Sequence, residues 1–380
     1  MKLLLVCLAL VVAAAPARAG QTPVRISLMH HYFQVVVSSE GGLSVRQPEE
    51  ATGSPYVAPE LTTVLDIRAS GSGLLLAGAI HAAATLAIEP APGYPISIDG
   101  DRYRGSAIVQ ANADGTVDVI NVVDLEQYLY GVVGSEMDTT WPTAALQAQA
   151  IVARTYAVAH LGTREWLGYD LLAGEQDQAY KGMQAETPSS IAAVDATRDT
   201  VLVYGGQLVH AYYSSCDGGY TSSGDALDDP EPYLQAMPDR YCRLSPDEHW
   251  SADVPLEAFG ERFRAQYGDI GAITTISAGP SDASGRFLSV SVQGDAGSRS
   301  IPATAFRALA GNHLVRSTRI DSIALDGQDI HVLGSGFGHG VGMSQWGARG
   351  MADEGRSAQD ILRYYYRGVQ FAQIADELTH

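Results

Sequence analysis

Between residues 24 and 123 the apolar side chains come in short alternating runs, too short to be helices and parted by Gly, Ser and Pro. Val24-Arg25-Ile26-Ser27-Leu28 and Phe33-Gln34-Val35-Val36-Val37 are two such runs, the second closing on a Ser-Ser-Glu-Gly-Gly turn. A period of two puts alternate side chains on opposite faces, so this stretch can bury itself only as strands and hairpins. One hairpin is expected from 106 to 120, turning at Asn112-Ala113-Asp114-Gly115.

The period changes after Val123. Asp124-Leu125-Glu126-Gln127-Tyr128-Leu129-Tyr130 moves to helical spacing, with Asp124 placed to cap the first turn. The clearest helix follows over residues 142–160: Thr140 can cap it, Pro142 suits its first turn, and Leu146, Ala150, Ala153 and Ala157 share one face. Thr143, Gln147 and Arg154 line up on its polar side. Residues 200–204 turn at Gly205-Gly206 into 208–213, and strands are expected at 273–277, 287–292, 320–325 and 329–333. A glycine-laced block at 334–350 precedes a last helix opened by Ser357, with Asp360 at capping-box spacing and Gly368 to end it. The sum is an α+β fold, β-rich with a few helices.

Residues 1–19 read as a signal peptide, with Lys2 ahead of an apolar run (3–15) and an Ala17-Arg18-Ala19 cleavage site. The mature chain is then exported, periplasmic or extracellular, and starts at Gly20. Pro16 and Arg18 break the run short of the roughly 18 to 20 residues that a membrane span needs, and no second apolar stretch follows. Cys7 sits inside the run, where a lipid-modified cysteine would not. The 361 residues from Gly20 onward suit two domains or one with a substantial extension.

Formal net charge is −19, and loss of Lys2 and Arg18 takes it to about −21, a balance that repels nucleic acid and anionic membranes but not a neutral sugar chain. Lys181 is the sole lysine after cleavage, so lysine-based chemistry has at most one candidate. Cys216 and Cys242 remain as an even pair, which in an oxidising compartment reads first as a disulfide; closing a loop of about 25 residues contributes on the order of 3 kcal/mol. Zinc held with His210 or His249 is the sharper alternative.

Three blocks could carry chemistry. In the first, Glu136 is expected in a loop, after Val133-Gly134-Ser135 and ahead of Met137, Trp141 and the helix start. Desolvation by Val133, Met137 and Trp141 would raise its pKa and suit a general acid, whereas a helix N-terminus favours the anion, and a mere capping role stays open. In the second, His210-Ala211-Tyr212-Tyr213-Ser214-Ser215-Cys216-Asp217-Gly218-Gly219-Tyr220-Thr221, the residues Tyr212, Tyr213, Ser215 and Thr221 suit a sugar cleft or a structural turn. In the third, Gly336-Phe337-Gly338-His339-Gly340-Val341-Gly342-Met343-Ser344-Gln345-Trp346, the glycines crowd His339 and Gln345 and let a polymer approach the backbone. That block has neither dinucleotide nor P-loop spacing. Arg154 and Gln147 join the candidates for substrate binding, although an arginine there can equally form a salt bridge.

Taken together, DLEQYLYGVVGSEM with WPTAALQAQAIVARTYA, HAYYSSCDGGYTSS, and GFGHGVGMSQWGARGMA with ILRYYYRG resemble the SpoIID/LytB family, the stage II sporulation protein D and amidase-enhancer domain. The resemblance implies a mixed catalytic domain over 103–370, after a smaller β-rich region (20–102) and before a short tail (371–380). It also implies peptidoglycan glycan strands as partner and places the family's catalytic glutamate at Glu136. That residue would work as the acid and base of a lytic transglycosylase that forms 1,6-anhydro-N-acetylmuramic acid. Other implied readings are a non-catalytic enhancer of a cell-wall amidase (N-acetylmuramoyl-L-alanine amidase) and a muramidase-type hydrolase. No cofactor is expected. Some family members bind zinc through the second block's histidine and two cysteines, each spaced six apart; here His210 and Cys216 fit, but Ser222 takes the third place. A zinc set of His210, Cys216 and Cys242 is the remaining metal option, and a Cys216–Cys242 disulfide, as in exported relatives, is favoured over it.

Overall fold

The alternation of period two translates into one large sheet. The computed structural model describes residues 22–47, 62–71, 73–76, 79–81 and 83–377; the expected signal peptide and Cys7 lie outside them. Among the described residues, Leu171–Leu172, Pro23–Tyr32, Val117–Asp124, Ser106–Ala111, Thr85–Pro90, Val35–Arg46, Thr62–Ser70, Gly73–Leu76 and Ala79–His81 follow one another across the sheet, with Ile96–Ile98 and Asp101–Tyr103 at its side. The pairing is antiparallel except for Leu171–Leu172. The expected hairpin pairs Val117 with Ala111 through Val122 with Ser106. The inward positions Val24, Ile26, Val35, Val37, Ile88, Val109 and Val119 are fully buried, each contributing about 1.5–3 kcal/mol of burial.

The chain divides into two compact units, Met1–Thr140 with Ala153–Thr200, and Trp141–Val152 with Val201–His380. In the first unit, α1 (Leu125–Glu136) follows the strand Val117–Asp124, and Asp124 caps it by accepting from the Glu126 and Gln127 amides. Next comes α2 (Thr143–His160), within which the division falls. Its head differs from expectation. Thr140 turns its hydroxyl to Asp138, and the Pro142 carbonyl accepts from Ala145 and Leu146. The short α3 (Pro188–Asp195) opens on a Thr187–Ser190 capping box.

The second unit holds an inserted segment with its own core. The strands Trp250–Pro255, Asp329–Gly334 and Ile320–Asp326 make one sheet, and Ile273–Ala278, Ser289–Gly294 and Ser298–Pro302 another. All four strands expected there are present, together with two helices the sequence reading missed, α4 (Leu256–Tyr267) and α5 (Ala303–Ala310). Phe259 packs on Phe263 and Phe306 with ring centroids 6.0 and 5.4 Å apart, over Val290, Val292, Ile330 and Val332. The glycine-laced block ends in α6 (Gln345–Asp353), a helix that the sequence pattern did not announce, and α7 (Ala358–Tyr365) starts on the anticipated Ser357–Asp360 capping box. The second strand of the 200–213 hairpin is shorter than expected, Gln207–Leu208. Among the described residues no helix is long and apolar enough to cross a membrane.

Candidate functional site

Glu136 is the last residue of α1 and stands seven residues ahead of α2. It therefore sits neither in a loop nor at a helix N-terminus, and does not cap α2. The side chain is half-buried, flanked by buried Val133 and Met137. Its Oε1 accepts from the Ala179 backbone N–H at 2.7 Å, and the neighbouring Ser135 Oγ accepts from the Lys181 N–H at 3.2 Å. Segment 179–185 can lie so close because Gly131 and Gly134 face it on one side of the helix. A Cβ on Gly134 would stand 1.9 Å from the Ala185 carbonyl oxygen, and one on Gly131 2.9 Å from that of Gly182. Fully buried Tyr128 donates to Gln178 Oε1 at 3.2 Å; burial, then Tyr180 and Glu136, push its phenol well above the usual range. The motif's glycines thus serve to pin a main-chain donor against the carboxylate.

Two other carboxylates are close in sequence. Both Glu126 oxygens are bound by the Arg154 guanidinium at 2.7 Å, deep in the first unit. Asp138 is exposed and accepts from the Thr140 amide and hydroxyl.

In the second unit the other two blocks run side by side. Tyr213–Ser214 pairs in parallel with Met343–Ser344, and bridges link Cys216 to Phe337 and Ser222 to Val341. Between them the His339 ring is held at both nitrogens: Nε2 donates to the Tyr213 carbonyl at 2.9 Å and Nδ1 accepts from the Val341 amide at 3.0 Å. A carbonyl can only accept and an amide can only donate, which fixes the neutral tautomer. Burial, reinforced by Arg286, lowers its pKa to about 4. Because the folded value lies below the unfolded one near 6.5, the stability this ring contributes is complete above about pH 6.5 and is lost as pH falls toward 4. The ring keeps some surface exposure, which limits the loss to the order of 1–3 kcal/mol. Thermal unfolding followed from pH 7 to 4 is expected to fall more steeply for the native chain than for His339→Gln; parallel curves would contradict this assignment.

A family model described as Stage II sporulation protein (SpoIID) matches residues 113–204. An uncharacterized protein of Brachyspira hyodysenteriae is 31% identical over 72% of this chain and 73% of its own length. The stage II sporulation protein D of Bacillus subtilis is 27% identical over 66% of this chain and 75% of its own. The chain belongs to the SpoIID family. The amidase enhancer of Bacillus subtilis is also similar, 29% identical over 72% of this chain and 44% of the relative.

In this SpoIID chain, Cys216 and Cys242 form a disulfide with Cα atoms 6.0 Å apart. The sulfur-based zinc set does not fit: Cys216 is bonded to Cys242, Ser222 is buried against the Ser284 hydroxyl at 3.1 Å, and His210 is drawn to Asp229. The other candidates separate by burial. Tyr212, Tyr213 and Ser215 are half-buried in the second unit, and the Ser215 carbonyl accepts from the Trp346 amide. Thr221 and Gln345 are buried; Thr221 Oγ1 donates to the Gln235 carbonyl at 3.0 Å. Gln147 is half-buried. Arg154 is wholly buried, so the structure places it in an ion pair rather than on a ligand-facing surface.

Two groups of this SpoIID chain were not singled out from the sequence. Trp141 and Trp346 pack at 4.7 Å between centroids, and the Arg349 guanidinium lies 5.2 and 4.8 Å from their rings. Behind the motif blocks, Asp217 and Asp239 are buried together. Tyr365 donates to Asp239 at 2.7 Å, and burial and then Asp239 push the Asp217 carboxyl well above the usual carboxylate range. Both groups join residues more than twenty positions apart, a pairing that no local pattern announces.

Proposed function

We propose that this SpoIID protein cleaves peptidoglycan glycan strands as a lytic transglycosylase, with Glu136 as its single acid and base. The observation that carries the reading is the setting of that carboxyl group: half-buried at the end of α1, inside the family-matched segment, with one oxygen fixed by a main-chain N–H. Protonated Glu136 donates to the glycosidic oxygen beyond N-acetylmuramic acid as the C1–O bond breaks. The resulting carboxylate takes the proton of the C6 hydroxyl while that oxygen closes onto C1, which restores the acid and consumes no water. Hydrolysis by the usual two-carboxylate route needs a second carboxyl group about 5–5.5 or 6.5–9.5 Å away. The commitment of Glu126 to Arg154 supports the one-carboxyl route.

The leader expected over residues 1–19 and the disulfide suit an exported chain, and an acidic protein tolerates a neutral glycan. The test is digestion of glycan strands stripped of stem peptides, with mass spectrometry of the products. Anhydro ends support the reading; reducing ends alone would replace it with hydrolysis. The amidase-enhancer relative favours a second reading, a non-catalytic wall binder that stimulates a cell-wall amidase. Strand binding and amidase stimulation without any new chain ends would establish it.

In either reading the Trp141–Trp346 pair offers a sugar ring an aromatic face. Trp346→Ala is expected to weaken strand binding roughly 2- to 12-fold, equivalent to about 0.5–1.5 kcal/mol, in a co-sedimentation titration. Unchanged affinity would remove the pair from the binding surface.

A further inference from the structure

We infer that His210, Asp229 and Glu231 form a site for one zinc-class divalent ion, distinct from the sulfur set that this chain lacks. The ligand atoms of all three side chains lie within 4.8 Å of one another. His210 Nδ1–H donates to Asp229 Oδ2 at 2.6 Å. An ion with bonds of about 2.0–2.2 Å would hold such atoms about 3.3 Å apart, so it enters with a small outward movement of two partly exposed side chains. It takes the place of the hydrogen on Nδ1, which in the neutral ring moves to Nε2, so that the imidazole stays neutral as a ligand.

The surroundings keep the three groups converged. Asp229 and Glu231 stand on either side of Pro230, and Pro232 follows, so fixed φ angles stiffen the backbone that carries both carboxylates. The loop is closed by the Asp229 amide on the Gly224 carbonyl and the Leu234 amide on the Glu231 carbonyl, each at 3.0 Å. From the other side the His210 amide donates to the Tyr233 hydroxyl at 2.9 Å, which anchors the imidazole's own backbone. The Tyr212 hydroxyl is hydrogen-bonded to Asp229, the kind of outer partner that orients a ligating carboxylate.

One imidazole and two carboxylates make three protein donors with room for water in a fourth position. The imidazole favours zinc and its neighbours over magnesium or calcium, which prefer all-oxygen shells. Binding would tie the loop 223–234 to the chain around His210, and Tyr212 and Tyr213 follow directly in sequence. The inference stands apart from the proposed cleavage chemistry, since no step at Glu136 uses the ion.

The test is a calorimetric titration of the full-length chain with Zn2+, accompanied by Co2+ absorption spectra. One equivalent is expected to bind, without a sulfur-to-cobalt charge-transfer band. Tyr212→Phe should weaken binding roughly 10–100-fold, and Asp229→Asn or Glu231→Gln by more than that. Circular dichroism checks that each variant is folded, and two independent carboxylate variants guard against failure of one. No binding to the native chain, binding unaffected in both carboxylate variants, or a charge-transfer band from Cys216 or Cys242 would each overturn the assignment.

Discussion

Glu136→Gln is expected to lower the yield of anhydro chain ends from denuded glycan strands by roughly 10²–10⁴-fold, the usual contribution of a positioned acid–base group. The substitution is informative because it is nearly isosteric. A glutamine side-chain oxygen can still accept from the Ala179 N–H that holds Glu136 Oε1 at 2.7 Å, so the segment 179–185 stays docked while proton transfer is lost. Melting temperature and strand affinity should be unchanged. Glu136→Asp makes a complementary probe: it keeps the carboxyl but withdraws it by one methylene, and a misplacement near 1 Å can itself cost about 10²-fold. Mass spectrometry of products from the two variants and the native chain reads both effects. Native-like rates in the glutamine variant would rule Glu136 out as the proton-transferring group.

The strands were legible because a sheet with one face buried demands alternation, and Val24, Ile26, Val35 and Val37 supply it. The caps at Asp124 and Ser357 were legible for a similar reason: a side-chain acceptor one turn ahead of a helix is a local signal. Helices with glycines were harder to read. Gly131 and Gly134 in α1, and Gly347 and Gly350 in α6, each argue against a helix by about 1 kcal/mol of propensity. Packing reverses that preference. A Cβ on Gly347 would fall 1.8 Å from the Tyr365 hydroxyl, and one on Gly350 2.4 Å from the Tyr241 carbonyl oxygen. The residues that weaken the local helical signal are those that let another segment come close, so tertiary contact had to be known before the element could be seen. Glu136 was placed in a loop for this reason, when the helix in fact runs up to it.

Arg154 shows the same limit for a site residue, since its polar position on α2 was legible and its partner 28 residues away was not. Its guanidinium holds both Glu126 oxygens at 2.7 Å and reaches the Val194 and Thr200 carbonyls at 3.3 and 3.2 Å, with no exposed surface. Removing one member of such a pair strands the other charge in a medium that solvates it poorly, at a cost of about 3–5 kcal/mol. Arg154→Ala is therefore expected to lose that much stability in a urea titration. Replacing both partners, as in Glu126→Leu with Arg154→Met, should recover part of the loss, because the stranded carboxylate is gone. Recovery stays incomplete, since the Val194 and Thr200 carbonyls still lose their donor. Glu126 lies in the first turn of α1 and Glu136 ends the same helix, so any fall in cleavage by Arg154→Ala should follow the folded fraction and reverse on cooling. A ligand-contacting arginine predicts the opposite pattern, weaker strand binding at unchanged stability, and that result would move Arg154 from the core of the fold to the glycan surface.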